Sequence, residues 1–240
     1  MNPVDMQVFV GFDPREIAAY QVCVQSLLER CGGAPPEMRP LLEPHLRATG
    51  LYRRVHERRD GRLWDRISEA PMSTEFALTR FVVPQLADAP WAVYCDCDFL
   101  WRADIAGLRA LADPRYAVMV VPHAHAVEAS VKMDGQVQLS YRRKNWSSLM
   151  LWNCRHPAHA MLAELVNCWP GRRLHGFDWL DDASIGFLPE SWNWLEGHSS
   201  PAIDPHAVHF TRGTPDLPGY HDVPHADEWR AVRSRIAGAT

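Results

Sequence analysis

No stretch of the 240-residue sequence reaches the roughly 18–20 consecutive apolar residues that a membrane-spanning helix requires. The N-terminus has no basic region leading into an apolar segment, because the run over residues 6–12 is short and meets Asp13 at once. A cytoplasmic protein is expected on these grounds. Neither sign of charge is in large excess: 25 Lys and Arg stand against 29 Asp and Glu, a net charge of −4. That balance gives no reason to expect nucleic acid or an anionic membrane as a partner. The basic clusters Arg53-Arg54 to Arg58-Arg59 and Arg142-Arg143-Lys144 read as solvated surface. Six cysteines, Cys23, Cys31, Cys95, Cys97, Cys154 and Cys168, follow neither a disulfide framework nor a zinc spacing, so reduced thiols are expected. Repeats, low-complexity tracts and a clear linker are also missing, which leaves one domain over residues 1–240.

The composition supports a sizeable core, with 47% hydrophobic and 22% charged residues. Ten tryptophans, concentrated after residue 90, are unusual. Planar amphipathic rings suit the faces of sugars, and they equally suit a core. Gln7-Val8-Phe9-Val10 reads as a buried strand. Asp13-Pro14-Arg15-Glu16 then opens a helix with a capping-box pattern, and Gly32-Gly33 stops it. Residues 34–72 are expected to be irregular, with one short strand and one short helix. A helix from Ser73 should bend or end at Pro84. Trp91-Ala92-Val93-Tyr94-Cys95 is apolar throughout, as in a strand covered on both faces. Asp104 opens another helix, and residues 117–121 and 149–152 are further strands. Between them Asp134-Gly135 marks a hairpin turn. Residues 158–168 are helical, and the stretch from Trp179 reads as loops wrapping a site. Strands alternating with helices argue for an α/β fold, with a mainly parallel central sheet and helices on both faces.

Asp96-Cys97-Asp98 follows the most apolar strand. With 17 aspartates in the chain, about one Asp-x-Asp triplet is expected by chance, so its position matters more than its pattern. Ligands of open α/β sheets bind beyond the carboxyl ends of strands. Two carboxylates there can hold a hard cation such as Mn²⁺ or Mg²⁺, with a diphosphate supplying further oxygens. The same residues could simply end the strand and cap a turn. His123 and His125, after another strand, form a rival metal pair.

The order of these segments resembles that of the family-8 glycosyltransferases, retaining enzymes of the single-domain, Rossmann-like GT-A fold. Val8 to Asp13, Thr79-Arg80-Phe81, Val93 to Leu100 with Asp104, and Val208-His209-Phe210-Thr211-Arg212-Gly213 carry the likeness. It covers most of the chain and is loose over residues 32–72 and 122–144. The resemblance implies that His209 joins Asp96 and Asp98 as the third protein ligand of the metal. It implies that Asp13 lies near the nucleotide base, and that Arg80 reaches the donor sugar or phosphate. Cys97, Ser147 and Gly213 fall at further donor-binding positions. Asp181 and Asp182 correspond to the segment beside the transferred sugar, where a carboxylate could stabilise an oxocarbenium-like transition state.

Three departures accompany the likeness. Trp146-Ser147-Ser148 stands where the family has Asn-Ala-Gly, which implies altered contacts to the donor sugar. Gly213-Thr214-Pro215-Asp216 lacks the family's diphosphate-binding Lys, leaving phosphate charge to Arg212, Lys132 or the metal. Leu180 falls where a sugar-binding Asp is usual. The expected activity is transfer of a hexose from a nucleoside-diphosphate sugar, with UDP the expected nucleotide, to a saccharide or glycolipid acceptor. A catalytically silent carbohydrate- or nucleotide-binding module of the same fold is the alternative. A nucleotidyltransferase is disfavoured, because Gly11 stands alone where a Gly-rich triphosphate loop would follow the first strand.

Overall fold

Strands that are apolar on both faces need cover on both, and the chain order supplies it. The computed structural model describes residues 5–123, 130–131, 137–138, 143 and 145–238. From the amino end, β1 (Met6–Gly11) leads through a 3-10 turn (Pro14–Glu16) into α1 (Ile17–Arg30), then β2 (Glu37–Leu41) and α2 (Glu43–Ala48). Next come β3 (His56–Arg59), β4 (Arg62–Asp65), β5 (Ala70–Met72) and the short helices α3 (Phe76–Thr79) and α4 (Val83–Leu86). The middle holds β6 (Trp91–Cys95), β7 (Phe99–Trp101), α5 (Ala106–Ala110), β8 (Val118–Val120), β9 (Ser130–Val131) and β10 (Val137–Gln138). After β11 (Leu149–Asn153) come α6 (Leu162–Cys168), α7 (Gly171–His175), β12 (Ile185–Phe187), β13 (Trp194–Leu195), β14 (Ala207–His209) and α8 (Ala226–Gly238).

Six strands form the central sheet in the order β12-β8-β11-β6-β1-β2. β1 pairs in parallel with β2 and β6, and β12 with β8, while β11 runs antiparallel to both β6 and β8. The mainly parallel α/β sheet expected from the sequence is what forms. β6 is buried at every residue and lies between β1 and β11, as its unbroken apolar run demands. Beyond its carboxyl end the chain turns through 96–98 into β7, which pairs antiparallel with β14 and sets His209 opposite Phe99. The core covers the sheet and most helices, with a smaller cluster (Val22, Leu100, Trp194, Val208, Phe210, Trp229, Val232) beneath α8.

Several local expectations change. Residues 34–72 hold the expected strand and helix, and also an antiparallel sheet of β3, β4 and β5. β3 reads His-Glu-Arg-Arg and contains no apolar residue, so periodicity could not reveal it. Arg54, expected as solvated surface, is buried. Its guanidinium grips Asp65 at 2.7 and 2.6 Å and donates to the carbonyls of Val166 and Trp169, fastening this sheet to α6. α8 was not expected. Its spacing of Ala226, Trp229 and Val232 buries one face on α1, and Arg235 pairs with Glu29 at 2.6 Å. The helix after Ser73 does break, as a 3-10 turn over Arg80–Val82, and restarts with Pro84 in its first turn. β9 and β10 pair antiparallel around the expected Asp134-Gly135 turn, which lies outside the described residues. All six cysteines are free. No helix among the described residues is long and apolar enough to cross a membrane.

Candidate active site

The turn beyond β6 and the end of β14 bring Asp96, Asp98 and His209 together. One ligand atom from each lies within 4.8 Å of the others, and among the described residues this is the one group able to hold a metal ion. His209 Nε2 is 3.3 Å from Asp98 Oδ1. The imidazole is 3% exposed and stacks on Phe99, with ring centroids 4.6 Å apart. The main chain holds the same junction, because Phe210 donates its N–H to the Asp98 carbonyl at 3.0 Å.

Asp96 is oriented from behind. Its Oδ1 accepts the Tyr94 hydroxyl at 2.6 Å and meets Arg80 Nη1 at 2.8 Å. Burial raises the Asp96 carboxyl above the usual carboxylate range; Arg80 counters this, and Asp98 adds to it. Asp98 Oδ1 is buried without a hydrogen-bond partner, despite lying so near His209. An ionised buried oxygen left this way is costly. Two carboxylates and an imidazole grouped in this way form a mixed N/O set that a divalent cation could share, and a cation there would satisfy the buried oxygen.

Glu16, read from sequence only as half of a capping box, turns out to lie beside this group, on Cys97 between the two aspartates. Asp13 does cap the turn, accepting the Arg15 N–H at 3.0 Å, but Glu16 Oε2 instead accepts from Cys97 Sγ at 3.0 Å. Burial, and then the nearby Asp98, push the Glu16 carboxyl up to about 7. Cys97, expected at the donor, has its side chain buried on Glu16, and burial pushes its thiol well up. No sequence pattern pointed to Glu16, because its partners come from residues 96–98 of another element.

Asp13 is fully buried, and both of its oxygens are in use. Arg15 donates to them at 2.9 and 2.6 Å, and the Glu75 N–H donates at 3.1 Å. Burial works to raise its pKa, but these bonds outweigh it and hold the carboxyl below the usual range. Arg80 is also buried, with Nη1 on the Ser147 carbonyl at 2.9 Å as well as on Asp96. Ser147 Oγ meets His175 Nδ1 at 2.7 Å. Asp181 and Asp182 are exposed ahead of β12, outside the three-residue group. Asp182 pairs with Arg143, which also donates to the Gly176 carbonyl. A run of contacts therefore passes from Asp96 through Arg80, Ser147 and the loop after His175 to Asp182.

Gly213 has φ of +150°, and a Cβ there would meet the Tyr220 ring at 2.9 Å, so the site requires glycine. Beside it, Arg212 is spent on the buried Glu196, at 2.9 and 2.5 Å. Of the groups expected to replace the missing Lys, Arg212 is thus already neutralised, and Lys132 lies outside the described residues. His125, half of the rival metal pair, lies outside them too. Six of the ten tryptophans are buried and four partly buried, so they build core rather than open sugar platforms.

The fold has counterparts among solved structures. The fold is similar to that of the WbbM bifunctional glycosyltransferase (TM-score 0.59, 16% identity), covering 97% of this chain and 53% of that one. It is similar to the glycosyltransferase GlyE of Streptococcus pneumoniae TIGR4 (TM-score 0.60, 12% identity, 96% and 60% covered). It also matches the galactosyltransferase LgtC in complex with donor and acceptor sugar analogs (TM-score 0.54, 13% identity, 96% of both chains). The chain therefore has the GT-A fold that its likeness to family-8 enzymes implied, and it spans little more than half the length of WbbM and GlyE. In sequence, it is 44% identical over 230 residues to Protein CDI of Arabidopsis thaliana, covering 93% of this chain and 84% of the plant protein. It belongs to the family of Protein CDI. No family model matches the chain.

Proposed function

We propose that the protein is a metal-dependent glycosyltransferase that moves a hexose from a nucleoside-diphosphate sugar, UDP being the favoured nucleotide, to a saccharide or glycolipid acceptor. The observation that carries this reading is the Asp96–Asp98–His209 group, with its buried, unpartnered Asp98 oxygen, at the carboxyl edge of a GT-A sheet. A bound Mn²⁺ or Mg²⁺ would supply Lewis-acid stabilisation to the departing diphosphate. Asp96, Asp98 and His209 would hold it. Arg80 aims the Asp96 carboxylate and counters part of the burial that raises its pKa, and through Ser147 it ties Asp96 to the turn ahead of β11. Asp181 and Asp182 are the carboxylates proposed for the sugar, with Arg143 as the group that orients Asp182. Retention of anomeric configuration follows from the family-8 likeness and belongs to the same proposal.

Release of UDP from a panel of UDP-hexoses with Mn²⁺ tests it. Turnover that falls by about 10³-fold or more in Asp98→Ala is expected. Absence of turnover across the panel, or full activity in that variant, would overturn it. One observation favours a binding-only module: the Arg212 charge is neutralised by Glu196, so no arginine is left free beside Gly213 for the diphosphate. That reading expects sugar binding without metal and no affinity for UDP.

A further inference from the structure

Asn193 hydrogen-bonds Ser148 and His209 rather than Asp96 or Asp98, and it lies at the end of a polar relay that decides which nitrogen His209 shows them. The relay starts at a group whose role is fixed. The Asn145 carbonyl can only accept, and it takes the Ser148 hydroxyl proton at 2.7 Å. With its one proton used, Ser148 Oγ must accept from Asn193, 2.9 Å away, so the amide nitrogen is the end that faces it. The Asn193 amide oxygen then faces His209 Nδ1 at 3.0 Å and can only accept. Nδ1 must therefore carry the proton. In the neutral ring, Nε2 is left with a bare lone pair, 3.3 Å from Asp98 Oδ1.

Every member of the relay is held in place. Asn193 is fully buried, Ser148 and His209 are each 3% exposed, and Asn145 sits in the left-handed region at φ +63°. The relay also joins the two arms of the site. The Ser148 carbonyl accepts the Asp96 N–H at 3.0 Å, while the Ser148 hydroxyl supports His209 through Asn193. We infer that Asn193, backed by Ser148, is a positioning residue that locks His209 in its Nδ1–H tautomer and so presents Nε2 as a ligand for a divalent cation. The inference rests on the reading of Asp96, Asp98 and His209 as a cation site. A neighbour that fixes the tautomer of a ligating histidine typically tunes metal affinity by about 10–100-fold.

The test reads the tautomer and the metal separately. Imidazole ¹⁵N shifts of metal-free protein, with His209 assigned by difference from His209→Gln, are recorded at a pH where the ring is neutral. The expected result is a protonated Nδ1 and a bare Nε2. Asn193→Leu should shift the ring toward the Nε2–H form and weaken Mn²⁺ binding in calorimetry by roughly 10–100-fold. Asn193→Asp, which still accepts from Nδ1, should restore both. Ser148→Ala should shift both the same way by a smaller factor and serves where the leucine variant does not fold. An Nε2–H tautomer in the parent protein would overturn the inference, as would unchanged tautomer and Mn²⁺ affinity in Asn193→Leu and Ser148→Ala. Failure of the parent protein to bind Mn²⁺, with the Nδ1–H tautomer present and Asn193-dependent, would instead sink the cation site and leave the relay standing.

Discussion

Asp98 sits among other carboxylates with one of its oxygens buried. Its buried oxygen has no hydrogen-bond partner, and Asp96 and Glu16 add like charge around it. If the group serves to hold a cation, as proposed, function and metal-free stability should oppose each other. Asp98→Asn removes a charge and leaves the shape nearly intact. It should raise the metal-free melting temperature, by about 1 kcal/mol of stability, and abolish the rise that Mn²⁺ gives the parent protein. Thermal melts with and without Mn²⁺ check both halves. At this scale the grouping was legible: Asp-x-Asp after a buried strand and a His far along the chain pointed to one place, and the fold brings the three side chains together. Glu16 and Asn193 were not legible. Each acts through a partner distant in sequence, and neither residue type is unusual at its local position. The Ser148 that departs from the family's Gly now has a reason, since its hydroxyl carries the relay to His209.

Elements whose pattern agreed with their environment were readable, and the others were not. β6 is apolar throughout, and β1 is apolar apart from Gln7, as suits strands the sheet covers on both faces, so composition alone revealed them. β3 has no apolar residue and exists because β4 pairs with it, and β4 in turn is anchored by Leu63 and Asp65, both buried. The Arg54–Asp65 pair is the hinge of that arrangement, and an arginine inside a basic run gives no sign that it will be buried. Arg54→Met strands the Asp65 carboxylate in the interior and should cost about 3–5 kcal/mol in urea denaturation. The double variant Arg54→Met/Asp65→Leu should recover much of that loss. A single variant within 1 kcal/mol of the parent would refute the clamp. α8 was lost in a stretch whose Pro, Gly and His content suggested loops, although Ala226, Trp229 and Val232 keep helical spacing.

For the whole molecule, one buried histidine should add its own share to the loss of stability in acid. His159 is 3% exposed and its Nε2 donates to the Ala117 carbonyl at 3.0 Å, while Nδ1 has no partner. Burial lowers its pKa from 6.5 to about 4, the bond to Ala117 offsetting only part of this. The unfolded chain therefore takes up the proton first, and the contribution is complete above pH 6.5 and lost as pH falls toward 4. The loss amounts to roughly 3 kcal/mol. Urea midpoints between pH 7 and pH 4.5 should fall more steeply for the parent protein than for His159→Gln, and equal slopes would contradict this.

The fold brings Asp96 and Asp98, after β6, together with His209 on β14, the group proposed to hold a divalent cation. Calorimetric titration of UDP into the protein, with Mn²⁺ and then with chelator, tests that claim most directly. The expected result is UDP binding that requires Mn²⁺ and is lost in Asp98→Ala. UDP binding of equal strength without metal, or no binding in its presence, would contradict it.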